Sequence, residues 1–187
     1  MLIKIRYFVV LLAVWTSVSA HACGVLEGTE ILTGDQSTYV DMISPGCLIK
    51  SANDDFALSD NVVRRVFSTC DTPIDIILED RLLSVMDIQL LFETETKSWM
   101  TAASLQEGRK ILTIDGPRKI VSIGKSGFAG RLYGLEVADD HTFFAGGVLC
   151  HNPVWLKCLT CGKNCTGASA KREVSYESIP GRTRGIV

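Results

Sequence analysis

The pattern of apolar and polar positions divides the chain into three stretches. The first is one apolar run, Tyr7 to Trp15, behind the basic residues Lys4 and Arg6. The second, residues 23 to 152, holds short β-branched and apolar runs: Val62-Val63, Val66-Phe67, Ile74 to Leu78, Arg81 to Val85, Lys110 to Ile114, Arg118 to Ile123, Arg131 to Val137 and His141 to Leu149. Turn formers stand between them, at Gly34-Asp35, Asp71 to Pro73, Asp115-Gly116-Pro117, Gly124 to Gly127 and Asp139-Asp140. Runs of that length, bounded by residues that favour turns, predict strands. Their close spacing predicts a single all-β domain of barrel or sandwich type. Only Ser98 to Gln106 predicts a helix, of one or two turns. The third stretch, 153–187, shows little apolar periodicity and ends in Pro180-Gly181-Arg182-Thr183-Arg184. It predicts a separate tail, partly disordered unless its cysteines are tied. No internal repeat is visible.

Composition sharpens this picture at both ends. A chain of 187 residues with 47% hydrophobic content suggests one packed domain plus short extras. A net charge of -2 argues against a dedicated nucleic-acid binder. At the N-terminus the basic start, the apolar run and Ala20-His21-Ala22 form a signal-peptide pattern, residues 1–22, with cleavage before Cys23 and secretion as the consequence. The apolar run is shorter than the ~20 residues that span a bilayer. A lipoprotein anchor on Cys23 would want a large aliphatic residue where Ala20 stands. The charge changes sign at Pro153. Residues 23–152 hold eleven Lys/Arg against nineteen Asp/Glu, a net of -8, whereas 153–187 hold six against two, a net of +4.

All seven cysteines follow the expected cut: Cys23, Cys47, Cys70, Cys150, Cys158, Cys161 and Cys165. In an oxidising compartment that count predicts disulfides, and an odd number leaves one thiol free or paired with another chain. Cys158, Cys161 and Cys165 have metal-like spacing but lack a nearby fourth ligand, so disulfides are the better expectation there. No metal and no cofactor is assigned.

The residues that carry chemistry lie at the close of the second stretch, in LEVADDHTFFAGGVLCHN, Leu135 to Asn152. An asparagine amide can attack its own backbone carbonyl, giving a C-terminal succinimide and a broken peptide bond. The amide is a poor nucleophile and the leaving amine must gain a proton, so an imidazole beside it helps near neutral pH. His151 adjoins Asn152, and a second imidazole, His141, stands ten residues earlier. Gly146-Gly147 just upstream is expected to let backbone donors approach the carbonyl as an oxyanion hole.

That run resembles the last two motifs of the Hint (Hedgehog/intein) family: a strand leading to a His before aromatic residues, then a Gly-rich hairpin leading to a terminal His-Asn. Cys23 to Leu32, CGVLEGTEIL, resembles the family's opening motif, with Cys23 as the nucleophile. Trp99 to Leu112, WMTAASLQEGRKIL, resembles its Trp-Ala-Leu-Gly segment. The resemblance spans residues 23 to 152 and implies a compact all-β Hint fold, with the short Cys-containing tail following it. It also implies that Cys23, His141, His151 and Asn152 form the catalytic set, and that the protein's own polypeptide is the substrate.

The departures from the family pattern are specific. Where the family places Thr-x-x-His, the alignment gives Met86 and Gln89, and Gln89 cannot transfer a proton at neutral pH. Where an Asp or Asn follows the late-strand Tyr, Gly134 follows Tyr133. Signal-peptide cleavage before Cys23 would leave it no upstream bond to rearrange. After Asn152 stands Pro153, which cannot accept an acyl group, so splicing is not expected. Two functions follow from these motifs: single-turnover autoproteolysis releasing the tail, or a degenerate, non-cleaving Hint fold serving as a secreted binding or structural module; a third, a metal-binding secreted protein, rests only on the tail cysteines Cys158, Cys161 and Cys165. The sequence names no partner for the tail.

Overall fold

In a computed structural model the described residues are 23–152. The signal peptide and the tail, with Cys158, Cys161 and Cys165, lie outside them. Fourteen strands carry the regular structure among the described residues. They are β1 (Val25–Leu26), β2 (Glu30–Thr33), β3 (Gln36–Tyr39), β4 (Leu48–Ala52), β5 (Leu58–Asp71), β6 (Ile74–Leu78) and β7 (Leu82–Val85), then β8 (Leu90–Glu93), β9 (Ser98–Thr101), β10 (Lys110–Thr113), β11 (Gly116–Lys125), β12 (Gly130–Val137), β13 (Thr142–Ala145) and β14 (Val148–His151). The fold class is all-β.

The strands join in one antiparallel path, β3-β2-β13-β14-β8-β10-β11-β6-β7-β1-β12-β5-β4, with β9 beside β8. The path stays open rather than closing into a barrel. It curls until its last strand returns to β13, where the Ser51 hydroxyl donates to the Thr142 carbonyl at 2.9 Å. The concave side holds the main core, including Ile31, Ile49, Ile76, Leu83, Ile111 and Phe143. Strand β6 shows why these sequences pleat: Ile74, Ile76 and Leu78 are buried while Asp75 and Ile77 are not, the period of two that one apolar face requires.

Three sequence expectations change. Val62-Val63 and Val66-Phe67 belong to one 14-residue strand, β5, which pairs β4 at one end and β12 along the rest. Arg64 and Arg65 between them do not break it, because both are exposed and meet Asp139 and Glu136. The helix expected over Ser98 to Gln106 is instead strand β9 followed by a single 3-10 turn, Ala102–Ser104. Pairing of Phe92 with Trp99, whose rings meet edge-on with centroids 5.3 Å apart, overrides the helix preference of the alanines. Strands β1 to β4 and β8 are additional to the predicted set.

Candidate active site at the end of the last strand

The last hairpin places the chemistry. Strands β13 and β14 pair Ala145 with Val148 across Gly146 and Gly147, whose φ values of +53° and +74° are those of a two-residue turn that L side chains resist. The pairing runs to Thr142 opposite His151, so Asn152 is delivered at the far end of the hairpin. This corrects the oxyanion-hole expectation. Gly147 and Asn152 are separated by about five strand residues, roughly 17 Å. The glycines build the turn, and the Gly147 carbonyl accepts from Ile114 instead.

His151 stands half-buried against Trp99, ring centroids 4.8 Å apart, and 6.3 Å from the His141 ring. Burial pushes its pKa below the ordinary 6.5, His141 adds repulsion, and a backbone group of Asn152 offsets part of this. The ring is therefore neutral at neutral pH and able to accept a proton. A cleft of about 100 Å³, lined by Phe56, Trp99, Asp140, Thr142 and His151 among others, opens beside it. Asn152 is only 5% exposed, yet among the described residues its Oδ1, like His151 Nδ1, has no hydrogen-bond partner. Orphaned buried polar atoms cost about 1–3 kcal/mol each.

His141 occupies the turn that enters β13. Its φ of +56° and that of Asp139, +49°, are left-handed and unusual for side-chain-bearing residues. Two networks hold them there. The Asp140 carboxylate accepts from the Ser59 hydroxyl and from Asn61 Nδ2 at 2.6 Å. The Thr142 hydroxyl donates to the Ala52 carbonyl at 2.8 Å and accepts from the Ala52 amide at 2.9 Å. The His141 Nδ1–H donates to the Val137 carbonyl at 3.1 Å, since a carbonyl can only accept. In the tautomer that makes this bond, Nε2 is the ring's acceptor. These supporting residues were not singled out in the sequence: Ser51, Ser59 and Asn61 lie about eighty to ninety positions from Asp140 and Thr142, beyond any local spacing rule.

The start of the domain reaches the same region. The Met86 amide donates to the Gly24 carbonyl at 2.9 Å, and the Cys23 thiol donates to the Ile88 carbonyl at 3.6 Å. The next residue, Gln89, donates to the His151 carbonyl at 3.0 Å. Consecutive residues of one turn thus hold Cys23 and His151, and His151 in turn lies near His141 and precedes Asn152. They do not share one reactivity. Burial and then the nearby Asp87 charge push the Cys23 thiol up to about 12. Only about one thiol in 10⁵ would be ionised at neutral pH, and the thiolate is the nucleophile. Alkylation of Cys23 in the native domain is expected to be at least a hundredfold slower than in the denatured chain at pH 7.5. Rapid native-state labelling of Cys23, read by peptide mass, would contradict this. Cys47 and Cys150 are also free thiols, so the disulfide expectation finds no support at these three positions.

Gly134 has a geometric cause. A Cβ there would overlap the Phe67 ring and the Cys23 carbonyl oxygen. Gly24 is similarly close, with a Cβ 2.8 Å from the Tyr133 carbonyl oxygen. Strand β1 therefore lies against β12 with no room for a carboxylate. Gly134→Ala is expected to lower stability by about 1–3 kcal/mol, the usual scale of overpacking, as a fall in thermal midpoint. An unchanged midpoint would mean that Phe67 swings away freely. Among the described residues no three His, Cys, Asp or Glu side chains are grouped to hold a metal ion.

An open, curled antiparallel path whose opening residue lies against the turn that also holds the last strand, with His-Asn ending that strand, defines a class: the described residues have the Hint-type (Hedgehog/intein) fold. Its solved counterparts are bacterial inteins and intein-like domains. The chain is similar to a bacterial intein-like domain from Clostridium thermocellum, with TM-score 0.64 and 20% identity over 69% of this chain and 98% of that one. It is similar to a DnaB intein from Synechocystis sp. PCC 6803, with TM-score 0.61 and 17% identity over 70% and 99%. It is also similar to the DnaX mini intein from Spirulina platensis, with TM-score 0.60 and 25% identity over 68% and 99%. At these identities the likeness is one of fold. No family model and no curated protein matches the sequence.

Proposed function

We propose that this is a secreted self-cleaving Hint module that breaks its own Asn152–Pro153 bond once, by cyclisation of Asn152. The observation that carries the reading is Asn152 itself, buried at a strand end next to a neutral imidazole, with a side-chain oxygen that finds no partner among the described residues. In the reaction Asn152 Nδ2 attacks the Asn152 carbonyl carbon. One Nδ2 proton passes to an imidazole, His151 with His141 behind it, and that proton is delivered to the Pro153 nitrogen as the C–N bond breaks. The products are a C-terminal succinimide and the peptide Pro153–Val187, 35 residues with a net charge of +4. Its charge suits anionic surfaces such as lipid headgroups. Splicing is not part of the proposal, because Pro153 carries no hydroxyl or thiol. A protonated Cys23 likewise argues against thioester formation.

The test is the mass of the purified secreted chain over time, with N-terminal sequencing. A start at Cys-Gly-Val supports signal-peptide removal, and timed appearance of the 35-residue peptide supports cleavage. An intact Met1 in a membrane fraction overturns secretion. A mass that never changes favours the second reading, a non-cleaving secreted binding module. Gly134 and the inert Cys23 thiol are what support that alternative.

A further inference from the structure

We infer that Gln89, aligned where the family carries the histidine of its first junction, is a positioning residue for the second junction: it clamps the His151–Asn152 peptide so that only the Asn152 side chain and its own carbonyl remain free to approach each other. This deepens the proposed cleavage at Asn152 and rests on that reading.

The geometry is a two-sided grip on one peptide unit. Its carbonyl, on His151, accepts from Gln89 Nε2 at 3.0 Å, and its N–H, on Asn152, donates to the His141 carbonyl at 2.8 Å. Gln89 is 1% exposed, and its Nε2 also donates to the Leu90 carbonyl at 3.2 Å. Two carbonyl acceptors identify the nitrogen end of the amide without ambiguity, and both of its protons are used. The backbone that carries this side chain is itself fixed. The Gln89 backbone N–H donates to the Met86 carbonyl at 3.0 Å, the Ala102 backbone N–H donates to the Gln89 backbone carbonyl at 2.8 Å, and Leu90 pairs with His151 in the adjacent strands. A planar peptide held at both ends cannot rotate, so the search that cyclisation requires shrinks to the Asn152 ψ and side-chain torsions. A histidine reaching the same place could offer the His151 carbonyl one ring N–H, and could not satisfy the Leu90 carbonyl as well.

Two variants of the secreted chain test the clamp. Gln89→Met keeps the volume and removes both donors. Gln89→Glu restores one donor only when its carboxyl is protonated, which burial favours in mild acid. The ionisable groups tied to this segment are His151 across on β14, Cys23 ahead of β1 and Asp87 within the turn, so each variant is compared with the parent at the same pH. Gln89→Met is expected to slow release of Pro153–Val187 about tenfold at every pH, the scale of one lost buried hydrogen bond. Gln89→Glu should match it near pH 8 and recover toward the parent near pH 5, a recovery that a filler of space would not show. Exchange of the Asn152 amide, followed by NMR, gives a readout that needs no cutting and should quicken about tenfold in Gln89→Met. A parent that never cuts refutes the proposed function, and the clamp is then judged by exchange alone: faster exchange supports it and unchanged exchange overturns it. In a parent that cuts, equal release from Gln89→Met, or no acid recovery in Gln89→Glu, overturns it.

Discussion

Asn152→Ala should release no Pro153–Val187 peptide at any time or pH. The reaction needs a nucleophilic amide one methylene from its own carbonyl carbon, and no neighbouring side chain can replace it: Cys150, two residues back, is fully buried, with its thiol pKa raised by that burial. The variant should fold, since Asn152 Oδ1 has no partner to lose among the described residues. The measurement is intact mass of parent and variant after prolonged incubation. A parent that releases the 35-residue peptide while the variant does not supports cyclisation. Release from both at the same rate would assign the cut to another mechanism or to a contaminating protease.

His151→Ala should slow release by about a hundredfold or more, the usual scale for a lost proton-transfer group. The pH dependence of the parent carries a sign that follows from burial. Burial holds the native His151 pKa below the ordinary 6.5, so the ring is neutral at neutral pH and stays so to a pH below that value. Release should therefore hold level from pH 8 down past 6.5 and fall only as pH drops through the lowered native value. The same shift makes a stability statement. Between the two pKa values the unfolded chain binds more protons than the native one, so the contribution of His151 is complete above about 6.5 and is lost as pH falls through the native pKa. In His151→Ala that part of the acid destabilisation should vanish, read as a flatter thermal midpoint from pH 7 to 5. Release that rises steadily as pH falls from 7 to 5 would mean that the imidazolium, not the neutral ring, is the working form.

The sequence by itself was enough for the all-β class, for most strands from Ile74 onward, and for the residues that end the last strand. These features are local. Period-two burial in Ile74 to Leu78, a two-glycine turn between Ala145 and Val148, and a His-Asn pair directly after a buried run are all written within a few residues of each other. The choice of His141, His151 and Asn152 followed from their chemistry in one short window, and the fold brings them together. Tertiary structure decided the rest, because its partners are remote in sequence. Trp99 became a strand residue because Phe92 lies opposite it. Gly134 is bare because Cys23, just ahead of β1, and Phe67 on β5 close on it. His141 keeps its left-handed backbone beside Asp140 and Thr142, which are held by Ser59, Asn61 and Ala52. The role of Gln89 is the clearest case. In the sequence it reads as a lost proton donor at the first junction. In the fold it is a hydrogen-bond donor at the second, since an amide side chain takes its function from the carbonyls that face it and those belong to Leu90 and His151.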